Sequence, residues 1–158
     1  MKAEIQSLIA LIKRQEEIIM DIVRQIEERV NLLDKSSDAL IFTAYGLHNL
    51  YCAIEDIFKE VSRIFENSLA EPERWHRELL VKMTLEVEGI RPRLISEGSF
   101  IILDELRAFR HFFRHAYGIP MDNERVKRLV EKAIGLQARL HDDLDSFINK
   151  LKKDIATE

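Results

Sequence analysis

The sequence predicts an all-α protein, an up-and-down bundle of about five helices that forms a homodimer. Only 5 Gly and 3 Pro occur in 158 residues, so helix breakers are rare. Hydrophobic residues make up 46% of the chain and charged residues 33%, a balance typical of helices with one buried and one solvated face. The length fits a single domain, residues 1–158, with its own buried core.

The first predicted helix runs from about Lys2 to Leu33, because an isoleucine or a leucine recurs at every seventh position. Polar residues such as Gln15 and Arg29 interrupt this seam. The interruptions favour packing within the chain's own bundle over an intermolecular coiled coil. The seam consists of Ile5, Ile12, Ile19, Ile26 and Leu33.

The second predicted helix is central, because it carries two neighbouring apolar stripes. A Ser or Asp of the polar turn 34–38 can cap it, and it ends near Asn67. Pro72 suits the first turn of a third helix, which ends near Val87. The segment 89–92, Gly-Ile-Arg-Pro, then breaks the helical pattern.

The fourth and fifth helices have their own capping signals. Ser96 or Ser99 can cap the fourth, which ends just after Tyr117. Asp122 caps the fifth, which continues to about Lys153.

The fourth helix carries the candidate site. Its predicted core stripe consists of Ile102, Leu106, Phe109, Phe113 and Ala116. At roughly 100° per residue, the opposite half presents Arg107, His111, Arg114 and His115. Arg110 and Tyr117 lie nearer the core boundary. The formal net charge of -4 argues against bulk electrostatic binding of nucleic acid, but not against such a local basic site.

Arg110 and His115 have the chemistry of an RNA-cleaving pair. A His can take the proton from a ribose 2′-OH or donate one to the leaving oxygen, and an Arg can stabilise charge on the phosphate. On one straight helix the two are separated by about 140° around the axis and about 7.5 Å along it. Two copies packed across a two-fold axis would bring both pairs into one cleft. The alternative is that these residues simply form a polar helix face exposed to solvent, without a catalytic role.

No metal or other cofactor is expected. His111 and His115, like His48 and Cys52, are spaced i, i+4, but neither pair is accompanied by the further ligands of a zinc site. The single cysteine cannot form an internal disulfide, and no apolar run reaches the roughly 20 residues of a bilayer span. The N-terminus has no apolar signal-peptide region. We therefore expect a cytoplasmic protein without membrane contact.

The segment 110–117, Arg-His-Phe-Phe-Arg-His-Ala-Tyr, resembles the Arg-x4-His-x-Tyr motif of HEPN-domain proteins, specifically the HepT-like ribonuclease toxins. The long central helix over 47–65 and the Trp-led third helix add to this resemblance. It covers roughly residues 39–151.

The resemblance implies a helical homodimer that cuts RNA without a metal, with Arg110 and His115 as the catalytic pair. Tyr117 matches the tyrosine to which a cognate minimal nucleotidyltransferase antitoxin attaches AMP in such toxins. The residue after the Arg, commonly polar and often Asn in the family, is His111 here. Supporting contacts to RNA are expected from Arg107, His111 and Arg114. The alternative is a non-catalytic HEPN module that docks a nucleotidyltransferase, a nucleotide or both.

Overall fold

In the computed structural model, five α-helices account for most of the described residues, which are 1–66, 75–115 and 118–157. The helices are α1, Lys2–Arg29; α2, Ser37–Glu66; α3, Trp75–Met83; α4, Glu97–His115; and α5, Asn123–Thr157. A 3-10 turn, Val30–Leu32, follows α1. These described ranges contain no β-strand, so the all-α prediction is confirmed.

Helices α1 and α2 form an antiparallel hairpin. Gln15 donates a hydrogen bond from Nε2 to the backbone oxygen of Ala53 (3.0 Å), and near the turn the guanidinium of Arg29 lies 4.1 Å from the centre of the Phe42 ring. The predicted seven-residue seam is buried, with at most 8% exposure at any of its five positions. Gln15 interrupts the seam without an unsatisfied amide, because α2 supplies a carbonyl acceptor.

Helices α4 and α5 complete the bundle. His141 of α5 binds Glu16 of α1, and Lys127, near the start of α5, binds Asp34 after the end of α1. Helices α1 and α5 are therefore antiparallel. Helix α4 packs between α2 and α5, and the short α3 packs on α2 and α4. No helix in the described ranges is long and apolar enough to cross a lipid bilayer.

A polar cluster fixes where α4 begins. The backbone N–H of Ser99 donates to the hydroxyl of Ser96 (3.3 Å), so Ser96 is the cap. Asp143 of α5 accepts hydrogen bonds from the Ser96 backbone N–H (3.0 Å) and from the Ser99 hydroxyl (2.6 Å). The predicted caps at the other turns are confirmed as well, since Ser36 accepts from the N–H of Ala39 and Asp122 from that of Glu124. These side chains satisfy backbone donors that have no partner within the helix.

Three predicted helix ends differ from the structure. The first helix turns into the 3-10 conformation after Arg29, and the fifth continues to Thr157 instead of Lys153. The third ends at Met83 instead of Val87, because the chain folds back and the N–H of Leu94 donates to the Met83 carbonyl (2.9 Å). The predicted start at Pro72 lies outside the described residues.

Candidate functional site

The core face of α4 is rotated relative to the prediction. Ile102 and Phe113, which were predicted to lie on the core stripe, are only partly buried. Arg107, one turn after the buried Leu103, lines the space between α3 and α4, and its Nε donates to Asp104 Oδ1 of the same helix at 2.8 Å. Arg107 was expected on the half of α4 that meets solvent or a partner, and its side chain is 23% exposed. The fully buried apolar residues of α4 are Leu103, Leu106 and Phe109.

Arg110 lies at the boundary between core and solvent, as the sequence predicts. Its Nε donates a hydrogen bond to Cys52 Sγ on α2 (3.3 Å), and this contact anchors the guanidinium across the helix interface. Among the described residues, no carboxylate lies within 4.0 Å of the Arg110 guanidinium. Its remaining N–H groups are therefore available to an external anion such as a phosphate.

His115 is the last described residue of α4 and is exposed. Its Nδ1 lies 2.8 Å from the backbone oxygen of His111, and the two imidazole rings are 4.4 Å apart between centroids. A carbonyl oxygen only accepts hydrogen bonds, so Nδ1 carries a proton and Nε2 of the neutral ring is a proton acceptor. Arg114 and His111 are also exposed beside it. This end of α4 therefore presents two exposed imidazoles next to the guanidinium of Arg114.

Helix α2 contributes a face that the sequence did not assign to the site. His48 and Cys52, considered there as a possible metal pair, lie against α4, with the His48 ring 5.5 Å from that of Phe113. Burial lowers the pKa of His48, and the charges of Arg110 and Arg114 lower it further. His48 is therefore neutral near pH 7. The sequence shows the i, i+4 spacing of His48 and Cys52, but it does not show that these side chains face α4.

A groove of about 780 Å³ lies between α3 and α4. Its lining includes His76, Arg77, Lys82, Arg107, Arg110 and His111. The sequence did not connect α3 with the candidate site, because nothing in its own pattern distinguishes His76 from a surface histidine. The structure thus joins Arg107, Arg110 and His111 to a second cationic element.

A family model described as HepT-like protein matches residues 42–151. The match covers well over half of the chain and includes the whole of α4. The protein belongs to the HepT-like family. No curated protein and no protein of solved structure matches the chain. The family resemblance drawn from segment 110–117 is confirmed, while the roles of the individual residues stay predictions.

In this HepT-like protein, four of the six predicted site residues lie on the exposed or boundary side of the last turns of α4. They are Arg110, His111, Arg114 and His115. Tyr117, the predicted position of AMP attachment, lies outside the described residues. Within the described ranges there is no group of three or more His, Cys, Asp or Glu side chains that could hold a metal ion.

Proposed function

We propose that this HepT-like protein is a toxin-type endoribonuclease, a single HEPN domain over residues 1–158 that acts as a homodimer without a metal. The observation that carries the proposal is the arrangement at His115. Its Nδ1 is held by the backbone of the same helix, and Nε2 is left for proton transfer. Arg110, anchored on Cys52, supplies a cation on the same part of α4.

The proposed reaction is an internal transesterification of RNA. His115 removes the proton from a ribose 2′-OH, whose oxygen attacks the adjacent phosphorus and displaces the 5′-oxygen of the next nucleotide. The products are a 2′,3′-cyclic phosphate and a 5′-hydroxyl, which takes up the proton. Arg110 stabilises the negative charge that grows on the phosphate oxygens during the attack. Exposed Arg114 and His111, together with Arg107 in the groove, hold the flanking backbone.

The homodimer supplies a second copy of this helix end to the same cleft. An apolar patch supports this arrangement, because Ile41 and Tyr45 on α2 are 59% and 53% exposed and lie one turn apart. Tyr45 adjoins α4, with its ring 6.4 Å from that of Phe113. We propose that this patch packs against its symmetry mate, since exposed apolar side chains beside a polar site are typical of interfaces.

Cleavage of RNA in EDTA tests the proposed activity. We expect the purified protein to cut a single-stranded RNA into fragments that end in a 2′,3′-cyclic phosphate. The same sequence with 2′-O-methyl groups throughout should stay intact, because the nucleophile is blocked. Uncut RNA in the presence of folded, dimeric protein would contradict the nuclease and would favour the non-catalytic module that docks a nucleotidyltransferase or a nucleotide.

We further propose that a cognate minimal nucleotidyltransferase antitoxin inhibits the nuclease by attaching AMP to Tyr117. In this step the Tyr117 oxygen attacks the α-phosphorus of ATP and pyrophosphate leaves. Tyr117 follows His115 by two residues. The added phosphate therefore brings bulk and negative charge next to the cationic end of α4, where it competes with RNA for the same side chains.

Intact mass measurement tests this modification. After incubation with the cognate transferase and ATP, we expect the wild-type mass to increase by one AMP and RNA cleavage to fall. Tyr117→Phe should show no increase, whereas Tyr45→Phe, which removes another tyrosine hydroxyl near α4, should be modified like the wild type. An unchanged wild-type mass with a transferase that is active on itself or on another substrate would refute the proposal.

A further inference from the structure

Helix α2 carries a buried carboxylate behind the groove. Glu55 is only 1% exposed, and its Oε2 lies 2.7 Å from Nδ1 of His76 on α3. Lys59 Nζ is 3.4 Å from the other oxygen, Oε1, which forms no hydrogen bond with a described residue. Burying a carboxylate that is incompletely hydrogen-bonded opposes folding. A functional role for the Glu55–His76 pair would explain why the fold accommodates it.

Glu55 determines which nitrogen His76 presents to a ligand. A carboxylate accepts hydrogen bonds, so Nδ1 of His76 is the donor and Nε2 is the nitrogen that remains for another partner. A buried carboxylate in this position also orients the ring, and Nε2 is a hydrogen-bond donor when both ring nitrogens carry protons. His76 lines the same groove as Arg110 and His111. His76 therefore faces the groove from α3, across from Arg110 and His111 on α4.

The charges along the groove favour an anion near Arg110. Arg107 already contacts Asp104 through Nε at 2.8 Å, and Lys82 is bound to Glu66 at 3.2 Å. Arg110 has no such carboxylate partner among the described residues. Glu78 adds one carboxylate to the lining. A phosphate would thus be held where His76 and Arg110 face the same cavity.

We propose that His76, oriented by Glu55, is a further RNA-binding residue, which donates a hydrogen bond from Nε2 to a backbone phosphate next to the scissile one. This inference rests on the proposed ribonuclease function and extends its substrate path from α4 into the groove between α3 and α4. The groove volume of about 780 Å³ is within the range of small-ligand sites. The ligand class is the phosphodiester backbone of single-stranded RNA.

The chain contains a matched control for this pair. His141 and Glu16 form the same contact, Nδ1 to carboxylate, at 2.5 Å on the other side of the bundle, between α5 and α1. His141 is 64% exposed and lies apart from the groove, so its loss removes the same chemical contact without touching the proposed RNA path.

The experiment measures cleavage kinetics and the affinity for a non-cleavable 2′-O-methyl RNA in His76→Gln, Glu55→Gln and His141→Gln. We expect His76→Gln to raise KM and the Kd of the non-cleavable RNA about tenfold, as for one lost hydrogen bond to a charged group. Its kcat should stay within about threefold of wild type, because the reacting groups are intact. Glu55→Gln should weaken binding in the same direction, and His141→Gln should match the wild type.

A second measurement uses the unaltered protein and does not depend on the stability of the variants. The imidazole NMR signals of His76 should shift when the 2′-O-methyl RNA is added, whereas those of His141 should not. Unshifted His76 signals, or wild-type KM and Kd in a folded His76→Gln protein, would overturn this inference while leaving the nuclease in place. A wild-type protein that neither cuts nor binds RNA would overturn the proposed function and this inference together.

Discussion

His115→Ala is expected to lower the rate of RNA cleavage by at least about 100-fold, the usual contribution of a general acid or base. The fold should be unaffected, since the imidazole is exposed and its hydrogen bond goes to the backbone of its own helix. Arg110→Ala should cause a comparable loss of activity. Rates measured in EDTA, together with circular dichroism and the light-scattering mass of each variant, check both expectations. Cleavage at the wild-type rate by folded His115→Ala would mean that another group transfers the proton.

Mixed dimers test whether the site is shared between two copies. Wild-type protein is refolded with a tenfold excess of the double variant Arg110→Ala/His115→Ala, so that nearly all wild-type chains have an inactive partner. If the cleft needs both helix ends, the activity per wild-type chain should fall severalfold. Unchanged activity per wild-type chain would show that each copy holds a complete site.

The apolar patch on α2 provides the matching structural control. Tyr45→Asp places a charge at the centre of the proposed interface and should convert the dimer to a monomer, which light scattering detects. Because Tyr45 is half exposed in the single chain, the folded monomer should persist. Loss of cleavage in such a folded monomer would agree with the mixed-dimer result.

Arg91→Ala is expected to lower the free energy of unfolding by about 3–5 kcal/mol, as for one partner removed from a buried ion pair. Arg91 is 3% exposed, and its guanidinium donates to Glu66 at 2.7 and 3.1 Å. It also donates to the backbone oxygens of Lys82 and Leu85, both at 3.0 Å. One side chain thereby joins the end of α2, the end of α3 and the segment that follows α3. Chemical denaturation measures the loss.

A surface pair provides the comparison for Arg91. Arg63 contacts Glu60 on α2, but the Arg63 side chain is 51% exposed. Arg63→Ala should therefore cost much less stability than Arg91→Ala. A loss at Arg91 no larger than that at Arg63 would show that the buried pair adds nothing to stability.

The effect of Arg91 should depend on pH through Glu66. Partial burial raises the pKa of Glu66, but hydrogen bonds from Arg91 and Lys82 outweigh burial and hold the pKa below its ordinary value of 4.5. A carboxyl group with a lowered pKa in the folded state stabilises the protein above its unfolded pKa and loses that contribution as the pH falls through the folded value. The difference between wild type and Arg91→Ala should therefore be largest near neutral pH and shrink below pH 4.5.

The elements of the fold were accessible from the sequence because their signals are local. The seven-residue seam of α1 and the capping signals in turn 34–38, at Ser96 or Ser99 and at Asp122 are read from neighbouring residues. The structure shows the seam buried and Ser36, Ser96 and Asp122 as the caps. Which face of α4 is buried was harder to predict from the sequence. A stripe through Ile102 and a stripe through Leu103 both have helical spacing, and only packing against α2 and α5 selects the second.

The motif of the candidate site could be predicted from the sequence, but the surface around it could not. Segment 110–117 identified the family, but the partners of its residues come from distant parts of the chain. Cys52 is 58 positions away from Arg110, and Glu55 is 21 positions away from His76. Such contacts depend on how whole helices pack, and no local pattern encodes them.

The cap at Ser96 has a consequence for the far end of α4. Helix α4 is 19 residues long, so the position of His115 is set about 28 Å away from the hydrogen bonds to Asp143. Each residue of an α-helix turns the following ones by about 100°. Deleting a single residue between 98 and 108 would therefore move Arg110 into the buried place of Phe109 and Phe109 into the exposed place of Ala108, although every proposed catalytic side chain would still be present. Substitutions in this helix should therefore be tolerated more readily than insertions or deletions.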